Sequence, residues 1–186
     1  MSALWVILGI IVLLVFIIIG IYNRLVALRQ TCNQAWSDIE VQLKQRQDLI
    51  PNIVNVVKGY AKHEKETFEE VIQARNAAAS ANTVGETAAA EGMLGMAMGK
   101  LFALAEAYPE LKANDNFLQL QDELSDVENK IAAARRFYNN AVQEYNTGSE
   151  QFPANMIAGP FNFNEREFFE TPEGREALMT PPEVSF

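Results

Sequence analysis

Residues 117–145, FLQLQDELSDVENKIAAARRFYNNAVQEY, decide the fold of this chain. Their apolar residues recur at alternating steps of three and four, which is the spacing of one face of an α-helix. The stripe consists of Phe117, Leu120, Leu124, Val127, Ile131, Ala134, Tyr138, Ala141 and Tyr145. A helix of this length must bury such a face against other helices, so the pattern predicts an antiparallel helical bundle.

The flanking sequence predicts the ends of this helix and its partners. Asn114-Asp115-Asn116 is a helix start signal, and Asn146-Thr147-Gly148 is a stop signal. A similar stripe with a coiled-coil-like period precedes it, with Arg46 among its apolar residues. Its members are Leu25, Cys32, Trp36, Ile39, Leu43, Arg46, Ile50, Ile53, Val57 and Tyr60. Pro51 is expected to kink or end this first helix. Two further helices are predicted over about 64–79 and from 85 to near Tyr108-Pro109.

The N-terminus predicts a membrane anchor. Residues 3–21 carry no charge and are long enough to cross the hydrocarbon layer as a helix. A cleaved signal peptide is disfavoured because no basic residue precedes the stretch and no small-residue cleavage pattern follows it. No Gly or Pro lies between Gly20 and Pro51, so the anchor is expected to continue into the first bundle helix. The predicted organisation is all-α, with an anchor over 1–22, a bundle over 23–148 and a Pro/Phe-rich tail over 149–186.

The distribution of charged residues indicates where the protein is located and which partners it can bind. Arg24 and Arg29 follow the span directly, so the positive-inside tendency favours a cytoplasmic C-terminal domain at the bacterial inner membrane. A periplasmic domain stays the alternative, because one span with few charges can insert either way. The net charge of −9 lies outside the membrane and disfavours binding to nucleic acid.

The sequence contains none of the common catalytic or cofactor motifs. The single histidine, His63, has no second ligand at metal spacing, and the single cysteine, Cys32, lies in an apolar stripe. Phosphate-binding and nucleophile motifs are missing from the printed sequence. We therefore predict no catalytic residue, no cofactor and no metal, and a conventional enzyme is disfavoured.

Charged and polar residues on the stripes predict a structural network. Arg46 occupies a stripe position, and Glu128 and Arg135 lie on one face beside the long stripe. A charge in such a place is costly unless it is paired, so we expect Arg46 and Arg135 to meet carboxylates such as Glu128 or Asp48. A second set is Tyr138, Asn139, Tyr145 and Asn146, expected to form a polar seam that fixes helix register.

Two regions are candidate contacts between copies. Gly92, Gly95 and Gly99 lie roughly on one side of the third helix, a small-residue face that permits close helix approach. A tight helix–helix contact filled by Met93, Met96 and Met98 is the simpler interpretation. The tail is too aromatic for a disordered segment, so it is expected to dock on its own bundle or on a neighbouring subunit. Its candidate contacts are Phe161, Phe163, Phe168 and Phe169.

Several stretches resemble the LemA family of bacterial membrane proteins. They are YNRLVALRQ, AWSDIEVQLKQRQDLIPNIVNVVKGYAKHE, AYPELKAN, DELSDVENKIAAARRFYNNAVQEYN and QFPANMIA, which together run from residue 22 to about 169. The resemblance implies a long antiparallel bundle behind one N-terminal span and no catalytic residue. It also implies a setting near envelope stress and membrane metalloproteases. The Ala/Gly/Met stretch and the residues after Phe169 look least typical of the family.

Two functions fit these observations. The first is a membrane-anchored helical scaffold that self-associates. The second is an adaptor or regulator that recruits another membrane protein, such as a membrane metalloprotease, through an exposed apolar or acidic face.

Overall fold

The computed structural model describes residues 2–170, which contain helices and no β-strand. The helices are α1 (Ser2–Tyr60), α2 (Lys65–Ser80), α3 (Val84–Glu106), α4 (Pro109–Lys112), α5 (Asp115–Glu150) and α6 (Asn155–Ala158). The predicted all-α class is confirmed, as is the continuation of the N-terminal apolar segment into a long bundle helix. Of the tail predicted over 149–186, the part after residue 170 lies outside the described residues.

The chain divides into two compact units, and each contains part of α1 and part of α5. One comprises Met1–Ser37 and Arg136–Glu167. We call it the strap unit, after the irregular residues 162–167, which form its strap. The other comprises Asp38–Arg135 and, in the described part of the tail, residues 168–170. We call it the groove unit, after the open groove described below. This division cuts across both long helices, whereas the predicted boundaries at 22 and 148 followed the order of the chain.

The first part of α1 has the properties of a membrane anchor. Residues 3–20 are exposed along their whole length, and the apolar window at this end of the helix has a mean hydropathy of 3.4. By length and composition it can cross a membrane. The helix α3 is also long and apolar enough by the same measure, with a mean hydropathy of 1.2, but half of it is buried. It contributes to the core of the groove unit.

Pro51 does not end α1, which runs through it to Tyr60. A proline inside a helix frees the carbonyl four residues earlier, which is that of Gln47. Arg75 Nε donates a hydrogen bond to this carbonyl oxygen at 3.1 Å. Of the two outcomes predicted for Pro51, an end of the helix is therefore wrong, and Arg75 on α2 satisfies the carbonyl group that Pro51 leaves unbonded.

In the strap unit, α1 and α5 run antiparallel. The rings of Trp36 and Tyr138 lie 5.3 Å apart, and further along α5 Gly148 faces Leu28. A Cβ at Gly148 would lie 2.8 Å from Leu28 Cδ1, so the glycine permits a close approach of the two helices. Gly148 does not stop α5, which ends at Glu150. The predicted stop signal is wrong because this glycine serves packing inside the helix.

In the groove unit, α1 and α5 also run antiparallel, and α2 and α3 pack with them around one core. Tyr60 meets Asn114 while Arg46 meets Glu128, so positions rise on α1 as they fall on α5. The core includes Ile50, Ile53, Val57, Phe68, Val71, Leu94, Leu101, Leu111, Phe117 and Leu124. The predicted break before α3 carries a capping box, in which Thr83 and Glu86 bond each other's backbone N–H groups.

Candidate functional site

An open groove of about 600 Å³ lies in the groove unit. Its walls come from α1, α3 and α5, together with Phe169 of the tail. The charged residues at the groove are Arg46, Glu91, Glu128 and Arg135. The apolar and small ones include Leu43, Gly92, Gly95, Met98, Gly99, Phe102, Leu124 and Ile131. Charge therefore lies beside a strip of exposed helix backbone in a single concave surface.

Arg46 is the buried cation of this groove. Its side chain is 8% exposed, and its Nη1 donates to Glu91 Oε2 at 3.1 Å. Arg46 Nε lies 3.2 Å from Glu128 Oε1, which is an ion-pair distance, although the angle is not that of a hydrogen bond. Two carboxylates from different helices thus share one guanidinium, and the pairing ties α1 to α3 and α5.

Glu91 is the most deeply buried acid of the groove. Gln47 Nε2 donates to its Oε1 at 3.4 Å, so both carboxylate oxygens have a donor. Burial raises the pKa of Glu91, and the nearby charges of Arg46 and Glu128 act in opposite directions on it. The removal of water from the carboxylate outweighs the attraction of the guanidinium.

The structure brings together some of the residues predicted to form this network. Arg46 meets Glu128, and Arg135 lines the same groove. Asp48 lies apart from them. It forms an exposed ion pair with Lys44 one turn away, and Arg75 approaches it at 3.9 Å. The pairing of Asp48 with Arg46 is therefore wrong, because position 48 faces the opposite side of α1 from position 46.

The predicted small-residue face of α3, Gly92, Gly95 and Gly99, lines the groove. The nearest atom that a Cβ at Gly95 would meet is Arg46 Nη2 at 3.9 Å, and a Cβ at Gly99 would meet nothing within 4 Å. Met93 and Met96 are about half exposed, and Met98 is buried. The expected tight contact, filled by all three methionines, is therefore wrong. The small-residue face at Gly95 and Gly99 is open.

The strap unit contains a separate polar seam. Tyr138 Oη donates to the carbonyl of Glu167 at 3.0 Å, and Tyr145 Oη donates to that of Asn164 at 3.0 Å. Asn146 makes two bonds with the backbone of Arg166: it donates to the carbonyl at 2.9 Å and accepts from the N–H at 3.0 Å. These partners are backbone groups of the irregular strap, whereas the predicted role of the seam is to fix the register of helices. Asn139 lies half-buried on the same helix.

Cations and aromatic rings complete the seam. Arg166 donates to Asn33 Oδ1 at 2.6 Å, and its guanidinium lies over the ring of Tyr145 at 5.7 Å. Arg29 lies 4.9 Å from the centre of the Phe163 ring. Burial raises the pKa of both Tyr138 and Tyr145, and Arg166 opposes the shift. The two hydroxyls therefore stay protonated donors at neutral pH.

The four predicted tail phenylalanines differ in their surroundings. Phe163 is buried, and Phe161 is about half exposed, although both rings pack edge-on against Tyr22. Phe168 is 40% exposed and Phe169 is buried at the groove. The described part of the tail thus docks on its own chain in both units.

Three important residues were not singled out from the sequence. The sequence does contain an indication for Glu91. It is an acid in the Ala/Gly/Met stretch, and the residues four positions before and after it are Thr87 and Gly95, so no cation one turn away on its own helix can pair with it. Gln47 and Arg166 carried no such signal, because their partners come from distant parts of the chain.

Among the described residues, the site offers hydrogen bonds and ion pairs. Within residues 2–170, no group of three or more His, Cys, Asp or Glu side chains could hold a metal ion. Cys32 is fully buried in the strap unit, and burial raises the pKa of its thiol. A thiol with a raised pKa is a poor nucleophile at neutral pH.

Residues 35–186 match the family model described as LemA family. The chain belongs to the LemA family. The match extends to Phe186, so it includes both the Ala/Gly/Met stretch and the residues after Phe169, which look least typical of the family. The resemblance described from the sequence began earlier, at residue 22.

Named relatives of this LemA-family chain include two magnetosome proteins. Magnetosome protein MamQ 2 of Paramagnetospirillum magneticum is 26% identical over 187 residues, covering 86% of this chain and 69% of the relative. Magnetosome protein MamQ of Magnetospirillum gryphiswaldense is 25% identical over the same shares of both chains. Protein LemA of Metamycoplasma hominis is 27% identical over 160 residues, covering 85% of this chain and 73% of that protein.

Proposed function

We propose that this LemA-family chain is a non-catalytic, membrane-anchored scaffold that self-associates at the bacterial inner membrane and helps to organise the envelope or its stress response. The observation that carries the proposal is the open groove with Gly95 and Gly99 in its wall. Exposed helix backbone lets a second helix approach closely, and such approach is the usual role of small-residue faces. A second copy of the chain is the proposed occupant.

Exposed apolar side chains on the same helix support this proposal. Met93 is 50% exposed and Met96 is 55% exposed. Methionine adapts its shape to a partner and is common at binding surfaces. Together with the glycines, these methionines give α3 an apolar surface that a second helix can approach closely.

Anchoring in a membrane raises the chance of such encounters. The apolar residues 3–21 hold every copy in one plane, and α1 continues from them to Tyr60 without a flexible linker. Copies held in this way meet at a higher effective concentration than free copies in solution. Arg24 and Arg29, directly after the span, favour a cytoplasmic C-terminal domain.

Filling the groove tests self-association. We expect wild-type protein in mild detergent at micromolar concentration to be larger than a monomer by light scattering after size exclusion. Gly99→Leu should shift it toward the monomer, because the new side chain points into open space and blocks the partner. Gly59→Leu is the matched control, since a Cβ there also meets nothing within 4 Å but Gly59 does not line the groove. A monomeric wild-type protein would overturn the proposal.

A cysteine at the surface of α3 supplies a direct readout in membranes. In a Cys32→Ala background, Met96→Cys should form a cross-link between two copies, and Gly99→Leu should abolish it. The Cys32→Ala change removes the single native thiol, so any cross-link must involve the introduced cysteine. Equal cross-linking in the Gly99→Leu and Gly59→Leu proteins would place the contact between copies elsewhere.

The second candidate is an adaptor or regulator of another membrane protein, such as a membrane metalloprotease. The charged part of the groove favours it, because Glu128 is 45% exposed beside the buried Arg46 and offers an acidic contact. Purification from native membranes separates the candidates. A foreign protein in stoichiometric amount, lost on Gly99→Leu, supports the adaptor, whereas self-association alone supports the scaffold.

The orientation is tested in intact cells with a membrane-impermeant maleimide. Ser185→Cys in the Cys32→Ala background should stay unlabelled until the cells are opened. Labelling of intact cells would place the C-terminal domain on the periplasmic side.

A further inference from the structure

A charge-free stretch follows α5 directly. Residues 151–164, QFPANMIAGPFNFN, contain no Asp, Glu, Lys or Arg, although 21% of the whole chain is charged. Acidic residues flank the stretch at Glu150 and Glu165. Such a length without charge is unusual on the surface of an acidic protein, where charged side chains keep the chain soluble.

Large apolar side chains of this stretch are exposed. Phe152 is 78% exposed, Met156 is 70% exposed and Phe161 is 51% exposed. We call residues 151–161 the apolar turn. Its other apolar residues, Ala154, Ile157 and Ala158, are buried and hold the turn against the strap unit. The turn is therefore a supported structure that presents three large apolar side chains outward.

The apolar turn lies at the end of the strap unit from which the membrane span extends. Tyr22 is the first residue after the span of residues 3–21, and its ring lies 5.2 Å from that of Phe161. The direction of α5 agrees, because Tyr138 meets Trp36 and Gly148 meets Leu28 as the helix runs toward the span. Arg24 and Gln151 then line one shallow pocket.

The distances place the turn at the depth of the lipid headgroups. With the span filling the hydrocarbon layer, Tyr22 lies within about 2 Å of its edge along the helix. The headgroup layer extends roughly 5–8 Å from that edge. Aromatic side chains concentrate at this depth, and exposed apolar side chains gain by leaving water there.

The local charge suits the same surroundings. Residues 22–37 of α1 contain Arg24 and Arg29 and no acidic residue. Arg24, about 4.5 Å beyond the span along the helix, can meet lipid phosphates, and anionic headgroups attract cations near the surface. The whole chain has a net charge of −9, so the acidic residues that outnumber the basic ones all lie elsewhere in the chain.

We propose that the apolar turn docks on the headgroup layer around its own anchor, with Phe152, Met156 and Phe161 as the lipid-contacting side chains. The proposal rests on the anchor in the proposed function and adds a second attachment to the membrane. A span alone lets a chain rotate and tilt, whereas two attachments restrict both motions of the strap unit.

Quenching by lipid tests the proposal on the full chain in vesicles of neutral and anionic phospholipid. In the Cys32→Ala background, a fluorescent label on Met156→Cys should be strongly quenched by a lipid that carries a quencher near its headgroup. Phe137→Cys is the matched control. Phe137 is 52% exposed in the same unit, but it adjoins Tyr138, whose ring packs on Trp36. Trp36 lies about 22 Å beyond the span along α1, so this label should not be quenched.

A third position separates failure of this proposal from failure of the anchor. Val12→Cys, in the middle of the span, should be quenched by lipids that carry the quencher deep in the acyl chains. Quenching at Val12 without quenching at Met156 would overturn docking of the turn and leave the anchor intact. No quenching at Val12 would overturn the anchor. A third outcome is that quenching of the Met156→Cys label decreases as the number of protein copies per vesicle rises at a fixed quencher concentration. This result would show that the turn binds a second copy of the chain, and it would overturn docking on lipid.

Discussion

The strap unit and the groove unit each hold polar groups inside a helical packing, but they satisfy them with different chemistry. In the strap unit, neutral groups of Tyr138, Tyr145 and Asn146 bind the backbone of the strap. In the groove unit, the charged carboxylates of Glu91 and Glu128 hold the buried guanidinium of Arg46.

The difference determines how each unit responds to a mutation. A neutral hydrogen bond contributes about 0.5–1.5 kcal/mol, so the strap depends on several modest contributions. Breaking a buried ion pair costs about 3–5 kcal/mol, because the remaining charge stays buried without its partner. The stability of the groove unit therefore depends strongly on one residue, Arg46, whereas the stability of the strap unit depends on several hydrogen bonds of similar strength.

Arg46→Met carries the largest expected effect. It leaves Glu91 buried without its cation and should lower the free energy of unfolding by about 3–5 kcal/mol. Denaturant unfolding in mild detergent, followed by circular dichroism, measures the loss. Lys44→Met is the matched control on the same helix, since its ion pair is exposed and should cost no more than about 1 kcal/mol. Equal losses in the two variants would contradict the distinct role of Arg46.

The pH dependence of stability sharpens the same comparison. Burial raises the pKa of Glu91 in the folded chain above its ordinary value of 4.5. The folded state thus keeps this proton after the unfolded state has lost it, so the contribution of Glu91 to stability falls as pH rises through that window. Glu91→Gln should remove this fall. The measurement is the free energy of unfolding as a function of pH for both proteins. Curves for wild type and Glu91→Gln that stay parallel above pH 4.5 would contradict the raised pKa of Glu91.

Asn146→Ala should have the next largest effect. It leaves both the N–H and the carbonyl of Arg166 without their side-chain partner and should cost about 1–3 kcal/mol. Hydrogen–deuterium exchange should increase at residues 162–167 and stay unchanged in the groove unit. Asn140→Ala, an exposed asparagine on the same helix, is the control and should leave exchange as in the wild type. Unchanged exchange in the Asn146→Ala strap would contradict the proposed anchoring.

Tyr145→Phe should cost about 1 kcal/mol, because it removes one hydrogen bond to the strap and keeps the ring. The same denaturation assay measures this loss. Tyr60→Phe in the groove unit provides the comparison. The Tyr60 hydroxyl only accepts from Asn114 in an exposed position, where water can replace the bond. A loss in Tyr60→Phe as large as that in Tyr145→Phe would show that burial does not distinguish these hydroxyls.

Lys100→Ala should have the smallest effect. The ion pair of Lys100 with Glu70 is exposed at both ends and should contribute about 0–1 kcal/mol, less in high salt. The difference between wild type and variant should disappear in molar salt. A loss near that of Arg46→Met would mean that exposed charges also govern the groove unit.

Much of the fold followed from the spacing of apolar residues. Of the stripe on α5, Phe117, Leu124, Val127, Ile131, Tyr138, Ala141 and Tyr145 are buried, and Leu120 and Ala134 are intermediate. Helical periodicity predicts such faces well, because each position's direction depends only on its place in the helix. The helix ends were harder to predict. Pro51 and Gly148 both carry local signals for a break, and contacts from other elements override them.

The candidate site was less accessible from the sequence. The sequence correctly predicts the ion pair between Arg46 and Glu128. It also predicts Asp48 as a partner of Arg46, whereas the second carboxylate that binds Arg46 is that of Glu91. Choosing among carboxylates requires knowing which helices are neighbours, and spacing within one helix does not contain this information. The hydrogen bonds of the strap cannot be predicted from the sequence either. Asn164, Arg166 and Glu167 contribute backbone groups to these bonds, and any residue type would supply the same groups.

The sequence by itself determined the helical class, the apolar span and the buried faces of α1 and α5, because hydrophobic periodicity is a local property of the chain. Only the tertiary structure decided which acids hold Arg46, that the Gly95 and Gly99 face stays open, and that the apolar turn lies beside Tyr22. These features join residues far apart in the chain, and their energies depend on distance and burial, which arise only when the helices pack.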